Sequence, residues 1–265
     1  MKYYAPTSVK AYFELQSKLD SSSAVVLAGG TDLMPRFERD LPLPDHLIDL
    51  KKLSELSSIV VSDEQIEIGA LATIQGLHDH SIIQDEFVAI YEAAHEFAGA
   101  QIRHRGTIGG NICNASPAGD LLPPLYAFGA VLTLAGPSGK RQLPIHEFIL
   151  GPGKTVLMDS ELLVSITLER KQLQSQFQKV GLRQSMAISV VSLAFVWGEN
   201  MQNLTIAIGA AAPTVVTLDS INPARLSNQI DLIDIAIAPI DDIRATAKYR
   251  IRVIKNLILE FLRQH

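Results

Sequence analysis

The sequence predicts an α+β protein built from two small αβ units and a C-terminal α+β domain. Three observations lead to this fold class. Residues 1–58 combine short apolar strands with an amphipathic helix, and residues 59–172 add a hairpin and further strands around helices. Residues 173–265 place three strand-like segments before a long helix. A chain of 265 residues is long enough to bury cores of this size.

The first unit begins with a short strand over Tyr3–Ala5. The Pro-Thr-Ser stretch at 6–8 offers an N-cap for an amphipathic helix that starts at Val9. Two more short apolar strands follow, at Ala24–Leu27 and His46–Leu50. These segments predict a small αβ unit that ends near residue 58.

The second unit, residues 59–172, has a different pattern that begins with a hairpin. Its predicted elements are hairpin strands over 59–61 and 65–69, helices over 73–80 and 82–98, and strands over 131–135 and 162–168.

The third unit, residues 173–265, predicts a three-stranded sheet covered by a helix. The strand-like segments are Phe177–Leu182, Ser189–Trp197 and Leu204–Ala210. Residues 243–263 then carry apolar side chains at helical spacing.

Composition and charge exclude several classes of protein. Hydrophobic residues make up 47% of the chain and charged residues 19%, which is typical of a soluble globular protein. The net charge of −5, without a long basic run, argues against a nucleic-acid partner. No apolar run approaches the roughly 20 residues of a membrane helix, and the first residues lack a secretory signal. We therefore expect a cytoplasmic protein.

The single cysteine, Cys113, limits the chemistry of the chain itself. One thiol cannot form an internal disulfide or supply a four-cysteine iron–sulfur cluster, so any such cluster must lie on another chain. His78 and His80 are close in sequence, but no third ligand follows at a recognisable spacing. The sequence therefore predicts no metal site.

A first glycine-rich stretch, Ala-Gly-Gly-Thr-Asp at 28–32, directly follows a predicted strand. Adjacent glycines allow positive φ angles and let backbone N–H groups approach an anion closely. The stretch lacks the Gly-Lys-Ser/Thr of a Walker A loop and the G-x-G-x-x-G of a Rossmann fold. It predicts either a pyrophosphate cradle or a tight turn in which Thr31 or Asp32 caps the next element.

A second stretch, residues 106–120, is denser in glycine and in polar side chains. It reads Gly-Thr-Ile-Gly-Gly-Asn-Ile-Cys-Asn-Ala-Ser-Pro-Ala-Gly-Asp and contains one carboxylate, Asp120. Such a run offers many hydrogen-bond donors at low steric cost, although a long capped loop is the alternative. Two glycine-rich stretches about 80 residues apart predict a ligand gripped at two points, such as a dinucleotide.

These motifs together resemble the FAD-binding subunit of the molybdenum hydroxylases, the family of xanthine dehydrogenase and carbon monoxide dehydrogenase. The motifs are A-G-G-T-D-L, T-I-G-G-N-I followed by A-S-P-x-x-D, and a lysine at position 179. The segments 239–244 and 247–250 also resemble the C-terminal domain of that family. The resemblance therefore covers essentially the whole chain.

The resemblance implies two αβ subdomains of the PCMH/VAO-type FAD-binding fold, with FAD between them, followed by a C-terminal domain with a three-stranded sheet and helices. For Phe97 and Leu163, an ordinary core position is an equally good interpretation. The functional interpretation is favoured for Lys179, which lies in an otherwise apolar strand, because an unpaired buried ammonium is costly. The FAD contacts that the resemblance implies are Leu27, Ala28, Gly29, Gly30, Thr31, Asp32, Leu33, Phe97, Thr107, Ile108, Gly109, Gly110, Asn111, Ser116, Asp120, Leu163 and Lys179.

The resemblance also implies where the chemistry lies. The redox chemistry belongs to FAD, and no catalytic side chain is expected in this chain. A molybdopterin-binding large subunit and a small subunit with 2Fe–2S clusters would be its partners, and electrons would leave through FAD to NAD or another acceptor. Residues 183–188 are either a flap over the flavin ring or a short polar turn. Two other hypotheses remain: a flavin electron-transfer module that does not use NAD, and a stand-alone flavin reductase of the same fold.

Overall fold

The computed structural model describes residues 1–39, 42–228 and 230–265. The first unit is a three-stranded parallel sheet in the order β1–β3–β2, flanked by two helices. Its elements are β1 (Lys2–Tyr4), α1 (Val9–Gln16), β2 (Ala24–Leu27), α2 (Leu33–Arg39) and β3 (His46–Asp49). The three predicted strands and the first helix are thus confirmed, whereas α2 had no prediction.

The core of the first unit continues into the second. Tyr12 of α1 and Ile48 of β3 are each 1% exposed, and they belong to one apolar cluster with Leu162 and Val164. Ser8 fixes the start of α1, because its hydroxyl accepts a hydrogen bond from the Ala11 backbone N–H. The shared cluster holds the first sheet against the second.

The second unit is a five-stranded antiparallel sheet in the order β4–β5–β10–β6–β7, with helices packed on it. Its elements are β4 (Ile59–Val61), β5 (Gln65–Gly69), α3 (Ile74–His78), α4 (Ser81–Glu86), α5 (Val88–Glu96), α6 (Ala100–Arg103), α7 (Ile108–Asn114), α8 (Leu122–Ala127), β6 (Val131–Gly136), β7 (Gly139–Pro144), α9 (Ile145–Phe148), β8 (Ile149–Gly151), β9 (Lys154–Thr155) and β10 (Leu162–Glu169).

Two predictions for the second unit need correction. The single helix predicted over 82–98 is two helices, α4 and α5, because the backbone leaves the helical region at Phe87 while its ring is buried against Phe128. The glycine-rich stretch at 106–120, for which a long capped loop was the alternative, contains the helix α7, which begins after Thr107. The Thr107 hydroxyl accepts from the Gly110 N–H at 3.0 Å, and this cap stabilises a helix start despite the two glycines.

The third unit contains a four-stranded antiparallel sheet in the order β11–β12–β13–β14, so the prediction of three strands is wrong. The missed strand, β14, is a half-exposed edge strand that carries Asp219 and Ser220, and its polarity hides the apolar alternation. The elements are β11 (Gln174–Gly181), β12 (Ser189–Trp197), β13 (Leu204–Gly209), β14 (Val216–Ile221), α10 (Pro223–Asn228), α11 (Ile233–Ala236) and α12 (Ala247–Gln264).

The closing helix α12 packs on one face of this sheet. Phe261 stacks on Phe195 of β12 with ring centroids 3.9 Å apart. The helix begins at Ala247 rather than at the predicted Ile243, because the Thr246 side chain accepts from the Tyr249 N–H and sets the start. Ile243 itself is 99% exposed.

A seam of three hydrogen bonds joins α5 of the second unit to the edge strand β11 of the third. The Ala89 N–H donates to Ser175 Oγ at 3.0 Å, and the Phe177 N–H donates to Glu92 Oε2 at 2.6 Å. One turn further along, the Lys179 ammonium lies 3.3 Å from the Glu96 carbonyl oxygen. The seam fixes β11 beside the helix that leads into Phe97, and it closes the free edge of the sheet.

No helix in the described part of the chain is long and apolar enough to cross a membrane.

Candidate functional site

The two glycine-rich stretches lie against each other. A Cβ atom at Gly29 would lie 2.1 Å from the carbonyl oxygen of Arg105, and one at Gly106 would lie 3.5 Å from Thr31 Oγ1. Gly30 has a φ of +74°, which favours glycine. Glycine is therefore required at Gly29 by the close approach of the other stretch. The two stretches are therefore neighbours in the folded chain, as a single site formed by both requires.

A cleft of about 970 Å³ opens where the two stretches meet, within the size range of ligand sites. It runs between the first two units and reaches the third. Most of the predicted contacts line it: Ala28, Gly29, Gly30, Thr31, Asp32, Leu33, Phe97, Thr107, Gly109, Gly110, Asn111, Ser116, Asp120 and Leu163.

Three predicted contacts do not line the cleft. Leu27 and Ile108 are core residues, 6% and 0% exposed, and they lie two residues and one residue before a glycine pair. Lys179 lies behind Asp120, where it reaches the cleft only through that carboxylate. These side chains support the wall rather than form its surface.

Asp120 is a buried carboxylate of the cleft wall, and both of its oxygens accept hydrogen bonds. Its Oδ2 accepts from Lys179 Nζ at 2.6 Å, and its Oδ1 accepts from Ser189 Oγ at 2.6 Å. The Asp120 and Lys179 side chains are 8% and 4% exposed. Burial raises the pKa of Asp120, while Lys179 and Ser189 oppose that rise by stabilising the charged form. The carboxylate is thereby fixed in one orientation towards the cleft.

The cleft is suited to a polar ligand with its own donors. Asn111 lines it, and the Asn111 Oδ1 is buried with no hydrogen-bond partner among the described residues. A buried acceptor without a partner costs free energy, so a ligand donor there would relieve that cost. The hydroxyls of Thr31 and Ser116 offer further polar contacts.

Sequence reasoning missed the wall that the third unit supplies. The missed residues come from four separate segments, and the resemblance over 239–244 and 247–250 assigned these residues to the C-terminal domain without placing them at the cofactor site. They are Ser189, Ala210, Ala212, Pro213, Ala238, Ile240, Asp242, Arg244 and Arg250.

Arg250 is the buried charge of this third wall. It lies in the first turns of α12 and is 2% exposed. Its Nη1 donates to the carbonyl oxygens of Val190 and of Ala210, the latter at 3.2 Å, and its Nη2 donates to Asp242 Oδ1 at 2.7 Å. One side chain thus ties β12, the end of β13 and the segment before α12 together.

Asp242 is held as firmly as the arginine. Its Oδ1 also accepts from the backbone N–H groups of Arg244, at 2.8 Å, and Ala245, at 3.1 Å. Desolvation alone would raise the pKa of Asp242, but these bonds and Arg250 outweigh it and lower the pKa to about 2. The carboxylate is therefore charged at neutral pH.

The predicted flap and the histidine pair also have definite places. Met186 and Ile188 line the cleft and are 56% and 57% exposed, so residues 186–188 of the predicted segment 183–188 form part of its rim. His78 is hydrogen-bonded to Asp79 and His95, not to His80. Among the residues that the structure describes, no group of three His, Cys, Asp or Glu side chains is placed to hold a metal ion.

Two family models match this chain. Residues 1–169 match the model of the FAD binding domain in molybdopterin dehydrogenase, and residues 176–265 match the CO dehydrogenase flavoprotein C-terminal domain. The xanthine dehydrogenase FAD-binding subunit of Escherichia coli O157:H7 is 30% identical over 262 residues, which cover 90% of this chain and 87% of that one. The nicotinate dehydrogenase FAD-subunit of Eubacterium barkeri is 33% identical over 195 residues, 72% of this chain and 66% of that one.

A solved structure has the same fold over the whole chain. A chain of carbon monoxide dehydrogenase from Hydrogenophaga pseudoflava superposes with a TM-score of 0.89 at 28% identity, covering 98% of this chain and 95% of that one. The resemblance inferred from the motifs is thus confirmed, and the chain belongs to the family of FAD-binding subunits of the molybdenum hydroxylases, of the xanthine and carbon monoxide dehydrogenase type.

Proposed function

We propose that this chain holds FAD in the cleft and passes electrons from iron–sulfur clusters on a partner chain through FAD to NAD or a similar acceptor. One observation carries the proposal: two glycine-rich stretches, distant in sequence, meet at a cleft whose wall presents the fixed carboxylate of Asp120. A long ligand with a central pyrophosphate suits such a cleft.

The first glycine-rich stretch, residues 28–33, would bind the pyrophosphate through backbone N–H groups. Residues 107–111 would pack close to it from the other side, because the N–H groups of residues 108–111 already donate to Ala70, Ala72 and Thr107. Leu27 and Ile108 would support the two stretches from the core. Ser116 and Asn111 would contact polar atoms of the cofactor. Phe97 and Leu163 would pack against the flavin ring, since both are apolar side chains that line the cleft outside the two glycine pairs.

Asp120 and Lys179 would orient the cofactor together. The Asp120 carboxylate would accept a hydrogen bond from the cofactor, and Lys179 would keep that carboxylate charged and fixed. Bound FAD would supply the redox chemistry, because it exchanges single electrons on one side and a hydride on the other. The side chains described here bind and orient, and none is required as an acid or base.

The proposed partners are a molybdopterin-binding large subunit and a small subunit with 2Fe–2S clusters. Relatives named for xanthine, nicotinate and carbon monoxide dehydrogenases share this fold, which supports a division of labour in which the substrate is chosen on another chain. Cys113 alone cannot hold a four-cysteine cluster, in agreement with clusters on a partner.

We propose domain boundaries at 1–58, 59–172 and 173–265. Three separate main sheets support this division. A cytoplasmic location stays a prediction.

The test is the visible absorption of the FAD-loaded chain during anaerobic addition of NADH. Bleaching of the flavin band would support both FAD binding and an NAD site. A yellow protein that NADH does not bleach, alone or in its complex, would favour the electron-transfer module and overturn the NAD step. A colourless protein that fails to take up FAD would overturn the whole proposal.

A further inference from the structure

The guanidinium of Arg250 has a donor that the protein does not use. Its Nη1 and Nη2 groups donate to Val190, Ala210 and Asp242, whereas its Nε is buried with no hydrogen-bond partner among the described residues. A buried charged N–H group without an acceptor costs free energy, and folded proteins seldom leave the hydrogen bond of such a group unformed. Arg250 lines the cleft, so a ligand there is the available source of an acceptor.

The position of Arg250 is rigid, as a ligand-binding group requires. Asp242, which holds one edge of the guanidinium, is itself fixed by the N–H groups of Arg244 and Ala245. The side chain of Arg250 is 3% exposed, so it has little room to adopt another rotamer. Its donors are set before a ligand arrives.

The contacts of Arg250 place it at the Asp120 end of the cleft. Val190, whose carbonyl oxygen binds Arg250, follows Ser189, which donates to Asp120. Ala210, the other carbonyl partner, donates its own N–H to the carbonyl oxygen of Pro117 at 2.8 Å. Lys179, which donates to Asp120, also donates to the carbonyl oxygen of Glu96, the residue directly before Phe97, for which we propose a contact with the flavin ring.

We propose that Arg250 is a cofactor-binding residue that donates a hydrogen bond to an oxygen acceptor on the flavin half of FAD, a ring carbonyl or a ribityl hydroxyl. This inference rests on the proposed function, since it requires FAD in the cleft. It makes the third unit a direct part of the cofactor site. A hydrogen bond from this guanidinium to a ring carbonyl stabilises the negative charge that reduction adds to the flavin, so Arg250 raises the midpoint potential of the cofactor through a bond that lysine does not reproduce.

The experiment compares Arg250→Lys with Arg252→Gln, a change at an exposed arginine on the same helix. Lysine keeps the charge but lacks the planar fork, so it cannot serve the three protein acceptors and the ligand at once. Dissociation constants for FAD, riboflavin and ADP are measured by flavin fluorescence or calorimetry, well below the melting temperature of every variant. We expect Arg250→Lys to weaken FAD and riboflavin about 10- to 100-fold and to leave ADP unchanged, while Arg252→Gln changes none of them.

A second readout separates ligand contact from wall stability. Asp242→Asn loosens the same wall but leaves the Arg250 donors in place. We expect Arg250→Lys, more than Asp242→Asn, to shift the visible absorption band of bound flavin and to lower its midpoint potential, even if both lower the melting temperature of the FAD-free chain equally. Equal effects of the two changes on flavin affinity, band position and potential would overturn the inference.

Failure of the inference and failure of the proposed function give different results. If the wild-type chain binds FAD and Arg250→Lys binds it as tightly, only the role of Arg250 is wrong. If ADP is weakened instead of riboflavin, the assignment to the flavin half is wrong. If the wild-type chain takes up no FAD, the proposed function itself fails.

Discussion

Lys179 Nζ and Asp120 Oδ2 lie 2.6 Å apart although 59 residues separate them in the chain, and both side chains are almost fully buried. The pair spans the interface between the second and third units, because Lys179 is on β11 and Asp120 follows α7. Removing one partner of a buried ion pair leaves an uncompensated charge, which costs more than the pair itself contributes.

We therefore expect Lys179→Met to destabilise the chain by about 3–5 kcal/mol and to weaken FAD binding. The double variant with Asp120→Asn should recover part of the stability, since no buried charge then remains. Denaturant unfolding of the two single variants and the double variant measures the coupling. Additive effects, with no recovery in the double variant, would contradict a direct pair.

Gly29→Ala should prevent the two glycine-rich stretches from meeting. Its new Cβ would lie 2.1 Å from the Arg105 carbonyl oxygen, and a backbone contact of that kind cannot be relieved by a rotamer change. We expect a loss of about 1–3 kcal/mol in the free energy of unfolding, together with weaker FAD binding.

Gly151→Ala is the matched control, because a Cβ there meets no atom within 4 Å. Thermal melts and FAD titrations of both variants are compared. If Gly29→Ala behaves like Gly151→Ala in both, the close approach of the stretches is not needed for the site.

Asn111→Ala should affect binding and stability in opposite ways. The Asn111 Oδ1 is a buried acceptor without a partner in the described structure, so its removal should leave the FAD-free chain as stable or more stable. The FAD-loaded chain should lose affinity, because a ligand donor would lose its acceptor. Melting temperatures with and without saturating FAD give both quantities, and an equal loss in the two states would show that Asn111 serves only the fold.

Acid should weaken the hold of Asp242 on the third wall. Its pKa is lowered to about 2 in the folded chain from 3.8, so its contribution to stability is present above the unfolded value and is lost as pH falls towards 2. The difference in unfolding free energy between wild type and Asp242→Asn should therefore be constant at neutral pH and shrink between about pH 4 and pH 2. Urea unfolding at a series of pH values measures this difference, and a gap that persists unchanged to pH 2 would rule out the ionised hydrogen-bonded carboxylate.

The sequence predicted best those features of the site that depend on residues adjacent in the chain. The glycine pairs at 29–30 and 109–110 are recognisable from the sequence alone, and the structure brings their segments together at one cleft. The same glycines concealed the helix α7 in the sequence. The Thr107 cap stabilises this helix and offsets the low helix propensity of Gly109 and Gly110.

The third wall of the cleft was beyond local reasoning. In sequence, Arg250 is one of several arginines on an amphipathic helix, and only the packing of α12 shows that it is buried while Arg252 is exposed. Ser189 likewise is the first residue of an apolar strand in the sequence, and its bond to Asp120 forms only because the third unit packs against the second. Tertiary contacts between the units bring such residues to the cleft, and their spacing along the chain does not indicate that they line it.

The flavin content of the purified chain after reconstitution with excess FAD and removal of the free cofactor tests the central claim most directly. We expect about one FAD for each chain in the wild type. We also expect a clear loss in Gly29→Ala but not in Gly151→Ala. Absence of bound flavin in a folded wild-type chain, or equal retention by both glycine variants, would contradict a cofactor held where the two glycine-rich stretches meet.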